Sequence, residues 1–381
     1  MLRLNSTAAT LVLAAFVALG PLTTDMYLPA LPAMAAALNA APADVQLTLS
    51  VYMVGLALAQ LVYGPLADRF GRKPLLLVGL ALFTLASLAC ALTRSIELII
   101  VFRLLQALGG SAGPVLARAA VRDVHGQLEA ARILSYLGTA TALAPALAPI
   151  AGGYLLVTFG WPSVFVFLAA YGLAATALLW FALPEPLSPA LRQSIHPVGI
   201  ARNYRFLLQH RDYLGYVLAC AFTFAGLFAF LSGASFVLIE FLGVSPQHFG
   251  YYFILAVGGY VTGTLIGGRL SRRLGINRLL LIGGVIATLG GALMTALALA
   301  KVFAPLAVML PMMLYMMGMG IVRPQSMAGA IGPFPQMAGA ASALLGVVQM
   351  SVAAAAGVIV GQLHSGTPLT MAITIALMGA A

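Results

Sequence analysis

Long apolar stretches separated by short polar breaks divide the sequence almost from end to end. A helix needs about 20 consecutive apolar residues to cross the hydrocarbon core of a bilayer. A membrane β-barrel would instead show strands of about ten residues with alternating polar and apolar positions. The stretches run over 8–36, 45–67, 74–93, 97–118, 131–157, 161–183, 213–240, 247–269, 278–300, 303–322, 337–361 and 367–381. The sequence therefore predicts an all-α integral membrane protein with twelve transmembrane helices, which we number as spans one to twelve.

Composition excludes most alternatives to a membrane protein. Of the 381 residues, 62% are hydrophobic and only 7% are charged, whereas an ordinary soluble domain has about 25% charged residues. A soluble fold of this composition would expose a very large apolar surface, which excludes a soluble enzyme, a disordered chain and a nucleic-acid-binding protein. The twelfth stretch has 15 residues and ends at Ala381 without a polar flank, so we expect the last helix to be truncated.

The basic residues predict the orientation in the membrane. The net charge is +10, and lysines and arginines collect in cytoplasmic loops of membrane proteins. The opposite loops hold only Arg94 and Lys301, and Arg103 lies within span four. The remaining 16 basic residues are Arg3, Arg69, Arg72, Lys73, Arg118, Arg122, Arg132, Arg192, Arg202, Arg205, Arg211, Arg269, Arg272, Arg273, Arg278 and Arg323, which we assign to one set of loops. Both termini are therefore predicted to be cytoplasmic.

The sequence also divides into two related halves. The longest polar stretch, 184–212, contains four prolines and four arginines. We predict an N-terminal six-helix bundle over 1–183, a cytoplasmic linker over 184–212 and a C-terminal six-helix bundle over 213–381. The segment that begins at Gly64 after span two recurs after span eight, 204 residues later, with Gly, Leu, Arg and Gly at matching positions. Duplicated six-span units are typical of transporters whose site lies between the repeats.

Two charged residues, Asp25 and Arg103, lie well inside the apolar stretches of the first half, away from the ends of those stretches. A carboxylate such as Asp25 costs about 3 kcal/mol or more inside a bilayer unless it is paired, hydrated or protonated. Asp25 is therefore interpreted as a proton-titrating or cation-binding acid, with a residue at the membrane interface as the alternative. Arg103 needs a partner for the same reason, and Asp25 at similar depth is the expected one. Alternatively, Arg103 only clamps spans one and four together.

Aromatic, methionine and glutamine side chains within the spans are candidates for an apolar substrate cavity, because such side chains adapt to varied ligands. Packing in the core or against lipid is the alternative. The five histidines share no ligand spacing, the two cysteines are expected to be reduced thiols, and no catalytic set is present, so the sequence indicates neither a metal site nor an enzyme. The candidate cavity residues are Tyr27, Tyr52, Gln106, Phe222, Phe224, Phe228, Tyr252, Met316 and Gln349.

Several motifs together resemble one transporter family. They begin at Asp25 in span one, at Gly64 after span two, at Arg103 in span four and at Ala148 in span five. In this order they resemble the twelve-span drug:proton antiporters of the major facilitator superfamily. The segments Phe222-Thr-Phe-Ala-Gly226 and Phe249-Gly-Tyr-Tyr252 resemble the bicyclomycin-resistance (Bcr/CflA) subgroup specifically. The sequence departs from that subgroup in span ten, where Arg323 stands at a usually neutral polar position.

The resemblance implies two pseudo-symmetric six-helix bundles and a proton-coupled antiporter. Such a protein exports drugs or other small hydrophobic or cationic compounds across the bacterial inner membrane by alternating access, as a monomer and without a cofactor. A substrate:proton symporter or facilitator of the same fold is the alternative, and a membrane-embedded receptor or enzyme is a remoter one. Asp25 and Arg103 would couple protons. A conformational latch would comprise Gly64, Asp68, Arg69, Gly71, Arg72 and Asp123, and the antiporter motif Pro149, Gly152 and Gly153.

Physical chemistry suggests how the latch residues act. The two glycines allow close backbone approach and a tight turn. Asp68 can bind the N-terminus of a neighbouring helix, where an anion is favoured by roughly 0.3–1 kcal/mol, and Arg72 can pair with Asp123. In span five, proline and glycine predict a kinked, thin helix that packs closely against its neighbours.

Overall fold

A computed structural model describes residues 7–124, 127–187, 197–363 and 366–381. Across these ranges every regular element is a helix, and the predicted all-α class is confirmed. Span one is broken: helix Thr7–Asp25 is followed by a 3₁₀ turn, Leu28–Ala30, and by helix Leu31–Leu38. Spans two to six are Pro42–Phe70, Arg72–Leu92, the adjoining helices Ile96–Gly110 and Ala112–Val124, Gln127–Phe159, and Pro162–Ala182.

The second half repeats this arrangement. Span seven is helix Arg211–Ser235, which continues as a π-helical segment, Phe236–Phe241. Helix Pro246–Leu299 contains spans eight and nine, because its backbone leaves helical geometry at Gly275. Spans ten to twelve are Pro305–Ile331, Ala338–Gln362 and Leu369–Ala380.

Length and hydropathy agree with the predicted twelve spans. Within the described residues, nine helices are long and apolar enough to cross a membrane, and one of these is Pro246–Leu299, which covers two spans. Two shorter apolar helices, Leu143–Phe159 and Leu369–Ala380, correspond to spans five and twelve. The protein is a multi-pass membrane protein.

Backbone geometry supports the internal repeat. Gly71 and Gly275, which are 204 residues apart, have φ/ψ values of 100°/162° and 73°/169°. Positive φ strains any residue with a Cβ, so glycine at both positions allows the sharp turn between consecutive spans. The other glycine pair of the repeat, Gly64 and Gly268, has no described neighbour within 4 Å of where a Cβ would lie. The expected close approach at Gly64 is therefore absent.

The segment between the halves is more regular than its four prolines suggested. Helix Pro197–Gln209 occupies part of it and ends next to span seven. Residues 188–196 of the predicted linker lie outside the described residues. Tyr204 of this linker helix packs with Leu207 and Tyr213 in a small apolar cluster with the spans of the C-terminal half.

Candidate functional site

Asp25 occupies the break in span one. It is the last residue of the first helix and is only 4% exposed. Its carboxylate accepts a hydrogen bond from Thr24 Oγ1 at 3.0 Å. A discontinuous helix with a buried acid at its break is a common way to build an ion site in a transporter. The structure thus buries the Asp25 side chain within the helix bundle.

Arg103 of span four is fully buried and is held on three sides. Its guanidinium carbon lies 4.7 Å from the ring centroid of Tyr27 and 4.3 Å from that of Tyr52. Its Nη1 donates to Gln106 Oε1 at 2.7 Å and to the carbonyl oxygen of Thr23 at 3.3 Å. Cation–π contacts of this kind are strongest where water is excluded. Tyr27, Tyr52 and Gln106, which were predicted to line a cavity, here hold the arginine.

The expected ion pair between Arg103 and Asp25 is not formed in this conformation. Among the described residues, Arg103 has no carboxylate within ion-pair distance, and its Nε and Nη2 are buried without a hydrogen-bond partner. These two nitrogens form the edge of a guanidinium that binds a carboxylate side-on. Because Nη1 bonds to the carbonyl oxygen of Thr23, two residues before Asp25, the arginine is attached to the helix that carries the acid.

The remaining predicted cavity residues belong to the C-terminal half. Phe228, Met316 and Gln349 are buried, and Phe222, Phe224 and Tyr252 are half-buried. Gln349 accepts a hydrogen bond from the Cys220 thiol at 3.4 Å, which joins span eleven to span seven. The predicted cavity residues therefore come from both halves, and Tyr27, Tyr52, Phe228 and Met316 belong to one buried apolar cluster.

The two halves are closed against each other at one end of the bundle. We call the end that carries Arg94 and Lys301 the outer end, and the opposite end, with the basic loops, the inner end. At the outer end Ser235 Oγ of span seven donates to the carbonyl oxygen of Leu28 in span one at 2.6 Å. The hydroxyls of Tyr154 in span five and Tyr251 in span eight are 3.2 Å apart.

Glycines of span eleven make the outer closure tight. A Cβ on Gly357 would lie 2.6 Å from Ser50 Oγ, and one on Gly361 would lie 2.8 Å from Gln46 Oε1. Ser50 and Gln46 are one turn apart on span two, so the two helices meet along a shared face. Small residues spaced four apart allow such close approach of membrane helices.

The antiporter motif of span five contacts both halves. Gly152 packs on the backbone of Met26 in span one, and Gly153 packs on the backbone of Pro246 at the start of span eight. Pro149 lies within the same helix, which continues to Phe159. The predicted close packing is therefore present, and it has two distinct partners.

The inner cluster of charges connects helices of the N-terminal half. Arg72 binds Asp68 (Nη1 to Oδ1, 2.7 Å) and Asp123 (Nε to Oδ2, 2.8 Å). The predicted Arg72–Asp123 pair is thus present and joins span three to span four. Asp68 pairs with Arg72 instead of a helix N-terminus, and the guanidinium of Arg69 lies over the ring of Phe70 at 5.2 Å.

Sequence reasoning missed the acid that does occupy a helix N-terminus. Glu185, just after span six, accepts hydrogen bonds at 2.9 Å from the backbone N–H groups of Arg72 and Lys73. In return, Lys73 Nζ donates to the carbonyl oxygen of Leu183 at 2.6 Å. An acid capping the first turn of span three is stabilising because the free N–H groups and the helix dipole both favour an anion there.

Arg323 differs from its predicted position. It was grouped with the loops, but it lies within the helix of span ten, about 12 Å before that helix ends at Ile331. It is half-buried, and its guanidinium carbon lies 5.4 Å from the ring centroid of Phe224 in span seven.

Comparison with known proteins agrees with this architecture. The sequence profile described as "Major Facilitator Superfamily" matches residues 11–358. The chain is 33% identical to a bicyclomycin resistance protein homolog of Haemophilus influenzae, over 94% of this chain and 89% of that protein. It is 29% identical to multidrug resistance protein D of Escherichia coli, over 92% of this chain and 87% of that protein.

Solved structures share the fold. A D-xylose–proton symporter matches with a TM-score of 0.76 at 15% identity, over 98% of this chain and 96% of that one. A bacterial homolog of the human lysosomal transporter Spinster, in an inward-facing and occupied conformation, matches with a TM-score of 0.75 at 18% identity, over 95% and 82%. With the family profile spanning most of the sequence, the twelve spans and the repeated half, this chain belongs to the Major Facilitator Superfamily.

Proposed function

We propose that the protein is a proton-coupled antiporter that exports small drug-like compounds across the bacterial inner membrane by alternating access. One observation carries the proposal: Arg103, whose Nε and Nη2 are buried without a partner, is bonded to the carbonyl oxygen of Thr23, two residues before the buried acid Asp25 at the break of span one. The names of the resistance-protein relatives support the choice of export over uptake. The protein acts as a monomer with both termini in the cytoplasm, and the proton gradient drives it without a cofactor or a catalytic step.

Protonation of Asp25 changes the attraction between this acid and Arg103. An ionised Asp25 is attracted to the free Nε–Nη2 edge of Arg103, whereas a protonated one is not. The preferred position of the turn between the two helices of span one therefore depends on whether Asp25 carries a proton. This dependence is what couples proton uptake to a change of shape.

A short path connects this turn to the outer closure. Met26, next to Asp25, packs against Gly152, and the adjacent Gly153 packs against Pro246 of the other half. A shift of the Asp25 turn towards Arg103 displaces Met26 and disturbs the contact between spans five and eight. We infer that the present conformation is the inward-facing one, since its outer end is closed.

The inner charges act on the opposite closure. Arg72, Asp68 and Asp123 hold the inner ends of spans two, three and four together as a unit. A rigid unit moves as one body when the halves rock, and Asp68, whose side chain is 45% exposed, remains available to the other half. This is the role we assign to the latch.

The test is efflux from proteoliposomes with an imposed pH gradient, using neutral, cationic and anionic fluorescent dyes. Asp25→Asn keeps the shape of the side chain but removes its titration, so we expect dye binding without gradient-driven efflux. Asp44→Asn is the matched control, because Asp44 is an exposed carboxylate in the first turn of span two. Efflux by Asp25→Asn that follows the pH gradient as in the wild type would contradict the proposal.

A further inference from the structure

Arg323 lies in the seam between spans seven and ten. The two helices run antiparallel, with Tyr315 donating a hydrogen bond to the carbonyl oxygen of Thr223 at 3.0 Å, and with Gly329 packed on the ring of Tyr216. Arg323 stands between these two contacts. It comes about two turns before the inner end of span ten, which is the end that the inferred inward-facing conformation opens.

This guanidinium has no protein partner that satisfies its charge. Within the described part of the chain, Arg323 makes no ion pair and no hydrogen bond, and its Nε is buried. Its one recorded contact is the face of the Phe224 ring. An arginine at this depth is costly unless an anion, a carbonyl group or water accepts its donors.

The acidic side chains of the C-terminal half lie too far away to compensate the charge of Arg323. Its described acids are Asp212 and Glu240, which lie near the two ends of span seven. Asp212 precedes Phe224 by twelve residues and Glu240 follows it by sixteen, which are separations of about 18 and 24 Å along a helix. The positive charge of Arg323 is therefore uncompensated in this conformation.

Neutral polar groups surround the arginine. Cys220 and Gln349 are hydrogen-bonded to each other at 3.4 Å, and Arg323 is close enough to Cys220 to interact with it electrostatically. Ser326, one turn further along span ten, is buried and its hydroxyl has no described partner. Met316 and Met319 precede Arg323 at helical spacing and are buried. The site thus combines one cation, hydrogen-bonding groups and an apolar wall.

We propose that the exported compound is anionic, a small aromatic molecule with a carboxylate, sulfonate or similar oxyanion group that Arg323 binds. This inference rests on the proposed efflux function and specifies its substrate class. The planar donor edges of arginine match the geometry of an oxyanion, and the aromatic and methionine side chains accommodate the apolar part of the molecule.

The charge of the substrate changes how the gradient drives export. One proton entering for one anion leaving moves two positive charges inward per cycle, whereas exchange for a neutral compound moves one. The efflux of an anion therefore rises more steeply with an inside-negative membrane potential. A cationic substrate in one-for-one exchange would show no such dependence.

The binding test uses two fluorescent compounds that share a skeleton. These are 1-anilinonaphthalene-8-sulfonate and the neutral N-phenyl-1-naphthylamine, measured with the full-length protein in lipid nanodiscs and with empty nanodiscs as the blank. We expect the wild type to bind the sulfonate roughly tenfold or more tightly than the neutral compound, as a charge-assisted hydrogen bond implies. Arg323→Gln should remove this preference while the neutral compound binds as before, and Arg323→Lys should retain part of it.

A matched control and a measurement without variants complete the test. Arg278→Gln removes the same charge from an exposed position and should leave the preference unchanged. On the wild type alone, naphthalene-1-sulfonate should compete better than naphthalene-1-sulfonamide. A wild-type preference for the neutral compounds, or a sulfonate preference that survives in Arg323→Gln, would overturn the inference.

Transport of the same two compounds separates this inference from the proposed function. In proteoliposomes, sulfonate efflux should follow both the pH gradient and the membrane potential. If Arg323-dependent sulfonate binding is found but neither compound moves with the pH gradient, the anion site is supported and the antiport is contradicted. If both compounds are exported equally in the wild type and in Arg323→Gln, the antiport stands and the anion site is refuted.

Discussion

A single methyl group at Gly153 should open the outer end of the protein. An ideal Cβ at Gly153 would lie 3.0 Å from the carbonyl carbon of Pro246 and 3.2 Å from Gln247 Cα, and closer still to the Pro246 oxygen. These are backbone atoms at the start of span eight, so they cannot rotate away as a side chain would. Gly153→Ala therefore forces spans five and eight apart.

The size of the effect follows from where the collision occurs. Overpacking a well-packed contact typically costs about 1–3 kcal/mol. Because Gly153 and Pro246 belong to different halves, this cost is present only while the outer end is closed. The equilibrium between outer-closed and outer-open states should therefore shift towards the open state by roughly 5- to 150-fold.

Electron–electron distance measurements can detect this shift. Spin labels at Phe159→Cys and Val302→Cys occupy exposed positions at the outer end of the two halves, and the native thiols Cys90 and Cys220 are buried. We expect a longer distance to dominate once Gly153→Ala is introduced.

The control for overpacking itself is Gly318→Ala. Its Cβ would collide with Gly283 and Ala287, which lie in the same half of the protein. This change should lower the unfolding temperature without altering the outer distance. An unchanged distance distribution in Gly153→Ala, or an equal change in Gly318→Ala, would refute the reasoning.

Two further predictions concern the N-terminal half. Arg103→Lys keeps the charge but loses the planar group that stacks on two tyrosines, so gradient-driven efflux should fall roughly tenfold or more. Arg103→Ala should abolish this efflux. Wild-type efflux rates in Arg103→Ala would instead assign the arginine a purely structural role. Glu185→Ala removes the acid that caps span three, so the free energy of unfolding should decrease by about 1–2 kcal/mol in denaturant titrations. The exposed Glu240→Ala is its control, and equal losses in both variants would exclude capping as the cause.

The sequence predicted those structural features that depend on residues close to one another in the chain. Twelve apolar stretches and the glycines of the repeat were readable because span length and turn geometry depend on neighbouring residues. Gly71 and Gly275 share a positive φ because each allows a sharp turn between two spans. The latch pair of Arg72 and Asp123 was readable because the cluster motif and the end of span four together suggested it.

The features that sequence reasoning missed depend on contacts between residues that are far apart in the sequence. Glu185 reaches the start of span three across 113 residues of sequence, and no local pattern marks it as a cap. Tyr27 and Tyr52 were predicted to line a cavity, but aromatic side chains can equally well stack on a cation. Which of these two roles they take depends on the position of span four relative to spans one and two. The helix Pro197–Gln209 was not predicted because three prolines precede it and a fourth is its first residue.

In the proposed mechanism, Arg103 and Arg323 divide the tasks of an exchanger between the two halves. Arg103 is fully buried and bonded to Thr23, two residues before Asp25, yet its Nε and Nη2 are unpaired, so in the proposed mechanism proton binding at Asp25 changes an attraction within the N-terminal half. Arg323 makes no ion pair with the described acids of its own half, so in the proposed mechanism a ligand from outside the protein compensates its charge. Under the proposed mechanism, substrate and proton therefore act on different bundles, and each influences the other through the closure that both bundles share. Because the Asp25 turn contacts that closure through Met26 and Gly152, we expect a proton bound in one half to alter the fit of the two halves and hence the access of the anion to the other.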